Sequence, residues 1–220
     1  MQAPELDFYM YQSSHQAESQ DRAWRLAEQC CSYPVKRPIL NGEPCYEGIQ
    51  YYQRYGRFNA FDVRRAVWQS LLAGAKAGIT YGAHGLWCWH RPGLELPHAA
   101  AWNQPFSWQE ALRLPGAADA AFARWLFETY RLHELEPAQE LLEGSPEIRV
   151  AATADRNRLA VYAPYAAAVR IRYEGGRMAW RGIDLQKRRV FQPAVRSDRA
   201  ILTIEPASDN IDALFLAESI

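Results

Sequence analysis

The stretch Lys36–Gly48, KRPILNGEPCYEG, decides how the N-terminal part of this chain is interpreted. The apolar run Pro38–Leu40 passes directly into a polar, turn-prone segment, which is typical of a buried parallel strand that emerges into a loop. Gly42 lets the backbone bend there, and the proline that follows Glu43 favours an extended conformation at Glu43. Glu43 is therefore predicted at the carboxyl end of a strand, where β/α proteins often carry catalytic groups, although an ordinary turn with a solvated Glu fits the same pattern.

The segments on either side extend this strand to a β-α-β-α-β order. Leu6–Tyr11 is predicted to be a strand, and apolar residues at helical spacing predict a helix over residues 19–31. A second helix is predicted over residues 60–76, and Ile79–Leu86 is predicted to be the third strand. Connections of this length are typical of parallel β/α units, so the first part of the chain is expected to be α/β.

A different pattern begins after Gly144-Ser-Pro146. Short segments with turn signals between them indicate a small antiparallel β-sandwich. We therefore place a boundary near 144–147 and expect one domain over residues 1–144 and a sandwich over residues 147–220. The strands expected in the sandwich are Ile148–Ala152, Arg158–Tyr162, Val169–Tyr173 and Ala200–Ile204.

The composition argues against several classes of partner. The 220 residues include 25 basic and 25 acidic side chains, so the net charge is zero, and no long basic run occurs. Nucleic acid is therefore not expected as a partner. No apolar stretch is long enough to cross a membrane, so no membrane partner is expected. The N-terminus lacks the basic start and apolar run of a signal peptide, and the sequence leaves the localisation open.

No metal or cofactor is expected from the spacing of the ligand-type residues. The chain has no CxxC motif, and the adjacent pair Cys30-Cys31 is not a zinc spacing. Cys45 and Cys88 are expected to be free thiols like that pair. The three histidines that could be imagined as metal ligands match no standard site in their spacing: His84, His90 and His98.

Further candidate site residues follow the predicted strands. His15 and His84 sit at the ends of the first and third strands, where they either contact substrate, support Glu43 or serve the structure alone. Aromatic side chains near the end of the third strand could provide a flat apolar platform for a sugar ring, or could fill the core. These aromatic candidates are Tyr81, Trp87 and Trp89, of which Trp87 is favoured as the platform.

Two blocks of the sequence resemble one family of enzymes. KRPILNGEPCYEG at Lys36–Gly48 and DVRRAVWQSLLAGAKAGITYGAHGLWCW at Asp62–Trp89 are similar to the apiosidase-like glycoside hydrolases. The tail, with RLAVYAP at Arg158–Pro164 and MAWRGID at Met178–Asp184, resembles the β-sandwich that usually follows their catalytic domain. That sandwich is catalogued as a collagen-binding domain of a collagenase, a name that we do not take as a function.

The resemblance implies a (β/α)8 barrel with retaining glycosidase chemistry, in enzymes that are often exported. Its nucleophile is a Glu in a GEPxYE loop after the seventh strand, which corresponds to Glu43, and Tyr46 and Glu47 match the rest of that loop. The block Tyr81–Trp87 matches the eighth strand, and Asp7–His15 resembles the sixth. The implied fold class is α/β plus all-β: the last three β/α units of a (β/α)8 TIM barrel, followed by a small antiparallel β-sandwich.

The chain departs from the family in lacking the five β/α units that should precede Leu6, and with them the acid/base expected after the fourth strand. Glu47 could be the second carboxyl group, but it shares a loop with Glu43, and we prefer a binding or loop-structuring role. The chain is thus expected to be a glycoside hydrolase, or its C-terminal fragment, that cleaves glycosidic bonds in complex polysaccharide side chains. The alternative is a non-catalytic remnant that binds glycan or protein.

Three parallel strands cannot close a barrel, and the outer two would have unpaired edges. We therefore expect the chain to self-associate, or to bind a chain that supplies the missing N-terminal half-barrel.

Overall fold

The computed structural model describes residues 4–51, 56–95, 103–206 and 212–220. The chain forms two compact units, which are Met1–Leu71 with Ala75–Arg124, and Leu72–Gly74 with Trp125–Ile220. The boundary expected near 144–147 therefore lies inside the second unit. Among the described residues, no helix is long and apolar enough to span a bilayer.

Within the described part of the first unit, three strands form a parallel sheet in the order β1-β2-β3. These strands are β1 (Tyr9–Gln12), β2 (Ile39–Glu43) and β3 (Gly78–Ile79). Tyr9 pairs with Ile39, and Leu40 pairs with Gly78, so β2 is the central strand. The parallel pairing expected from the β-α-β-α-β order is confirmed for these strands.

Among the described residues, the helices of this region differ in how their starts are capped. They are α1 (Arg22–Ser32), α2 (Ala60–Leu72), α3 (Trp108–Ala111) and α4 (Gly116–Thr129). Before α2, the Asn59 side chain accepts a hydrogen bond of 2.8 Å from the backbone of Phe61. Before α3, Ser107 and Glu110 form a reciprocal capping box. Hydroxyl, amide and carboxylate oxygens thus satisfy backbone donors that the first turn leaves unpaired.

The third strand is much shorter than predicted. It ends at Ile79 instead of Leu86, and beyond it an isolated parallel bridge joins Glu47 to Ala83. Gly85 has a φ of 112°, and a Cβ there would lie 2.2 Å from the Phe106 carbonyl oxygen. The backbone therefore turns at Gly85 into a conformation that a regular strand cannot adopt.

The two faces of the parallel sheet differ in burial. Tyr9 and Ile39 are each 6% exposed, and Asn41 on the same face is fully buried, with its amide donating to Ser70 of α2 over 3.0 Å. The opposite face carries side chains from β1 and from the segment just before it, and these are exposed to solvent. Phe8 is 47% exposed and Met10 is 65% exposed. Helices therefore cover one face, and the opposite face presents apolar side chains to solvent.

The second unit contains two antiparallel sheets that share one apolar core. Among the described residues, the larger sheet has the strand order β10-β9-β13-β7-β6-β4, and the smaller has the order β11-β12-β8-β5. Core residues come from both sheets, including Val161 and Phe215 from the larger and Ile171 and Ile204 from the smaller. The strands of the larger sheet are β4 (Glu136–Pro137), β6 (Arg149–Ala152), β7 (Arg158–Ala163), β9 (Met178–Asp184), β10 (Arg189–Phe191) and β13 (Ala213–Ser219). Those of the smaller sheet are β5 (Leu142–Glu143), β8 (Val169–Arg172), β11 (Val195–Asp198) and β12 (Ile201–Ile204).

The sandwich sheets begin earlier in the chain than expected. β4 pairs with β6, and β5 pairs with β8, so residues before Gly144 already belong to them. β4 and β5 are each two residues long and therefore carry almost no alternating pattern, which is why the sequence did not predict them.

Candidate active site

Glu43 lies at the carboxyl end of β2, and His15 follows the end of β1. The backbone joins these ends, because Ser13 N–H donates to the Glu43 carbonyl over 3.0 Å. His15 Nε2 lies 3.0 Å from Glu43 Oε1. An ionised carboxylate only accepts hydrogen bonds, so His15 Nε2 is the donor to it. The Glu43 side chain is 39% exposed and the His15 side chain 12%, so the carboxylate stays accessible while its partner is mostly buried.

Tyr46 completes a cluster around the Glu43 carboxylate. Its ring centroid lies 4.5 Å from that of His15. Burial, followed by the nearby Glu43 carboxylate, raises the pKa of Tyr46, so the hydroxyl keeps its proton. A Cβ at Gly82 would lie 2.2 Å from the Tyr46 ring, so only glycine at position 82 leaves room for this ring.

Glu47, although it belongs to the same loop, has a different environment. The residue is 3% exposed, and its Oε2 accepts hydrogen bonds from the Tyr81 hydroxyl at 2.7 Å and from Gly116 N–H at 2.8 Å. Gly116 is the first residue of α4, so Glu47 caps that helix from a distant part of the sequence. Burial raises the pKa of Glu47, although both hydrogen bonds act in the opposite direction.

Backbone hydrogen bonds join the loop after β2 to the segment after β3. Glu47 N–H donates to the Gly82 carbonyl over 2.9 Å, and His84 N–H donates to the Glu47 carbonyl over 2.7 Å. The loop that carries Glu43 and Tyr46 is therefore held against the segment that carries the other candidates.

His84 does not reach solvent, because the residue is only 1% exposed. Its Nε2 lies 2.8 Å from the Asn103 carbonyl oxygen, and its Nδ1 accepts from the Trp87 indole N–H over 3.4 Å. Burial is the main reason that the pKa of His84 is lowered. These contacts connect His84 to Trp87.

The aromatic candidates occupy three different environments. Tyr81 is partly buried, and its hydroxyl is bound to Glu47. Trp87 is 52% exposed, and Trp89 is 62% exposed. Trp89 packs edge to face on Trp108, with ring centroids 5.5 Å apart. The indoles of Trp87 and Trp89 both offer accessible apolar surface, which is the property that a sugar platform requires.

The part of the chain that the structure describes contains no group of three His, Cys, Asp or Glu side chains suited to a metal ion. His98, one of the three histidines considered as ligands, lies outside the described residues. Each of the four cysteines is a free thiol, as expected.

The helix cap at Gly116 was missed by sequence reasoning, because 69 residues separate the donor from its acceptor.

Known proteins match this chain both in sequence and in fold. A model of the apiosidase-like catalytic domain matches residues 1–134. A solved structure described as a glycoside hydrolase has a TM-score of 0.83 and 21% identity, covering 99% of this chain and 53% of its own. A glycoside hydrolase family 5 structure from Bacteroides vulgatus ATCC 8482 has a TM-score of 0.82 and 21% identity, covering 98% of this chain and 51% of its own.

The chain thus spans about half the length of the two solved structures. At this level of identity the likeness shows a common fold. No match is found among curated proteins. The family itself is shown by the match over residues 1–134, which is more than half of the sequence: the chain belongs to the apiosidase-like family through its catalytic domain.

Proposed function

We propose that this chain carries the nucleophile half of a retaining glycosidase site, with Glu43 as the nucleophile. The observation that carries the proposal is the cluster of Glu43, His15 and Tyr46 at the ends of two adjacent parallel strands. His15 hydrogen-bonds to the carboxylate and the Tyr46 ring packs on His15, while the Glu43 side chain remains 39% exposed. An oriented and accessible carboxylate suits attack on a sugar.

In the proposed reaction, a Glu43 oxygen attacks the anomeric carbon as the bond to the leaving-group oxygen breaks. A covalent glycosyl-enzyme forms, and water later hydrolyses it with net retention of configuration. The hydrogen bond from His15, whose ring packs against Tyr46, holds the carboxylate in one orientation, which reduces the entropy lost on reaching the attacking geometry. The family name makes an apioside one candidate substrate.

Glu47 is not assigned as the acid/base. In retaining enzymes the two carboxyl groups lie about 5–5.5 Å apart and flank the scissile bond. Glu47 is buried, and its Oε2 is already bound to Tyr81 and to the start of α4. We assign it a loop-structuring role and place the acid/base on a polypeptide that completes the site.

The parallel sheet supports the view that such a polypeptide exists. We propose that β1, β2 and β3 are the last three strands of an eight-stranded barrel, followed by a sandwich domain. Parallel sheets are normally buried on both faces, whereas Phe8 and Met10 are exposed on this one. The solved relatives continue for about as many residues again. The proposed occupant of the open face is a polypeptide that supplies the preceding β/α units, and the pure chain alone is expected to self-associate there.

A non-catalytic role is the second candidate. The exposed indoles of Trp87 and Trp89 could bind a glycan without cleaving it. In that case the hydrogen bonds to Glu43 would organise a binding surface, and no covalent intermediate would form.

The dependence of hydrolysis on the leaving group tests the proposal. Departure of 2,4-dinitrophenolate needs little acid assistance, so we expect slow release from dinitrophenyl glycosides and no measurable turnover of natural glycosides. Release should be lost in Glu43→Gln and kept in Glu95→Gln, which alters an exposed Glu. Equal release by wild type and Glu43→Gln would refute the nucleophile. Rapid turnover of a natural glycoside by the pure chain would show that this chain contains an acid.

A further inference from the structure

The hydrogen-bond partners of the His84 ring determine its protonation state. The Asn103 carbonyl oxygen can only accept, so the ring nitrogen 2.8 Å from it, Nε2, carries the proton. The Trp87 indole N–H can only donate, so Nδ1, at 3.4 Å, must offer a lone pair. A single neutral tautomer satisfies both partners. In the protonated ring, Nδ1–H would face the indole N–H, donor against donor.

Trp87 lies at the surface, and its indole contacts the buried His84 ring. The residue is 52% exposed, so solvent surrounds about half of it. Its ring is nearly parallel to that of His84, with an angle of 22° and centroids 6.4 Å apart. His84 in turn is anchored through its backbone, which donates to the Glu47 carbonyl in the loop that carries Glu43. His84 therefore links the orientation of Trp87 to the backbone of the candidate active site.

We propose that His84 is a positioning residue for Trp87: its neutral ring fixes the exposed indole as a platform for the apolar face of a sugar, and the protonated ring releases it. The inference rests on the proposed function for the identity of the ligand, but not for the positioning itself. His84 contacts the substrate in neither state. Its role is to keep an exposed aromatic ring in one orientation before the sugar arrives, which lowers the entropy cost of binding.

The surroundings of His84 favour the neutral ring. Burial disfavours the imidazolium most, and nearby groups that can carry positive charge add to this effect: Arg57 from the segment before α2, His90 from the turn after Trp89, and His15 from the end of β1. The hydrogen bond to Asn103 acts in the opposite direction. Release of Trp87 is therefore expected only at acidic pH, below the ordinary histidine value of about 6.5.

Fluorine NMR of the complete chain labelled with 5-fluorotryptophan tests this inference without any substrate. The Trp87→Phe variant assigns the Trp87 resonance by its disappearance. We expect that resonance to shift and narrow as acid releases the indole, with a midpoint below about pH 6.5. In His84→Gln the transition should disappear. It should persist in His90→Gln, which alters another buried histidine whose nitrogens face the Phe106 and Leu94 carbonyls.

A Trp87 resonance that is independent of pH in the wild type, or that titrates unchanged in His84→Gln, would overturn the inference. Should His84→Gln fail to fold, the tautomer can be read in the wild type from two-bond nitrogen–proton correlations of the histidine rings. A His84 ring protonated at Nε2 alone at neutral pH supports the inference, and any other state contradicts it. The Glu43→Gln variant should keep the transition, so failure of the catalytic proposal can be distinguished from failure of this one.

Discussion

The sandwich of the second unit and the parallel sheet of the first bury their apolar residues in different ways. In the sandwich, both sheets contribute to one core, and residues such as Val161 and Ile171 are completely buried. In the parallel sheet, helices cover the face that carries Tyr9 and Ile39, while the opposite face leaves Met10 65% exposed. Within the described ranges, the sandwich core is closed by its own strands, whereas one face of the parallel sheet leaves apolar side chains exposed.

This difference indicates what each region is for. A sandwich with a closed core needs nothing further for its own packing. A parallel sheet with one open face exposes side chains whose burial is worth about 1.5–3 kcal/mol each. Its loop after β2 is held by polar contacts around Glu43 and Glu47 and by an apolar cluster that includes Cys45 and Ile49. The candidate chemistry therefore lies in the region whose packing is incomplete.

One alanine substitution in each region should give the largest difference in the free energy of unfolding. Phe215 is 3% exposed in the sandwich core, so Phe215→Ala should lower the free energy of unfolding by about 3–5 kcal/mol. Met10→Ala on the open face should change it by less than about 0.5 kcal/mol. Urea denaturation of both variants measures the contrast. Similar costs at the two positions would show that the open face is packed in solution.

Removal of the buried Glu47 carboxylate should lower the free energy of unfolding by more than the small size of the group suggests. Glu47→Ala leaves Gly116 N–H and the Tyr81 hydroxyl without their acceptor, and should cost about 1–3 kcal/mol. The matched change Glu95→Ala at an exposed position should be neutral. If Glu47→Ala proved equally neutral, Glu47 would not organise the loop.

The pH dependence of the Glu47 contribution has a definite sign. Its raised pKa means that the folded state binds the proton more tightly than the unfolded state does. Its contribution to the free energy of unfolding should therefore be complete below pH 4.5, the ordinary value, and decline as pH rises through the folded pKa. Glu47→Gln should flatten this part of the stability profile, and an unchanged profile would contradict the assignment.

Alanine substitutions at two glycines compare a position in close contact with the Tyr46 ring with a position in an open turn of the sandwich. The Cβ of Gly82→Ala would lie 2.2 Å from the Tyr46 ring, so the ring must move, at a cost of about 1–3 kcal/mol. A Cβ at Gly176 would meet nothing within 4 Å, so Gly176→Ala should have little effect. Thermal unfolding measures both changes. A stable Gly82→Ala variant with Tyr46 in place would show that the contact is not required.

Self-association tests whether the exposed face of the parallel sheet is open in solution. The substitutions used for this test should change the free energy of unfolding least. The pure chain at micromolar concentration should form higher-mass species by light scattering, and Met10→Lys should reduce them. Val190→Lys, at a residue 62% exposed in the sandwich, should not. A monomeric wild type that binds no hydrophobic dye would contradict the proposed open face.

The sequence predicted this architecture best where patterns are local. The β2 strand and Glu43 at its end follow from an apolar run that ends at Leu40, and the caps at Asn59 and Ser107 follow from their residue types. It failed at β3, because the turn at Gly85 depends on the Phe106 backbone, which lies far away in the sequence.

The sequence predicts which residues belong to the candidate site, but it does not predict the contacts that these residues make. Glu43 and His15 could be placed at neighbouring strand ends, since parallel strands bring their carboxyl ends together. Nothing local indicates that Glu47 turns away to cap α4, or that both His84 nitrogens are occupied. Those features depend on tertiary partners from 19 to 69 residues away, except for the neighbouring Trp87.

Covalent trapping tests the central claim, that Glu43 is a glycosidase nucleophile, most directly. The chain would be incubated with dinitrophenyl 2-deoxy-2-fluoroglycosides, an apioside among them, and intact mass and peptide mapping would locate any adduct. The account predicts a single glycosyl adduct on the peptide that contains Glu43, present in Glu95→Gln and absent in Glu43→Gln. An adduct that persists in Glu43→Gln, or the absence of an adduct with every sugar tested, would contradict it.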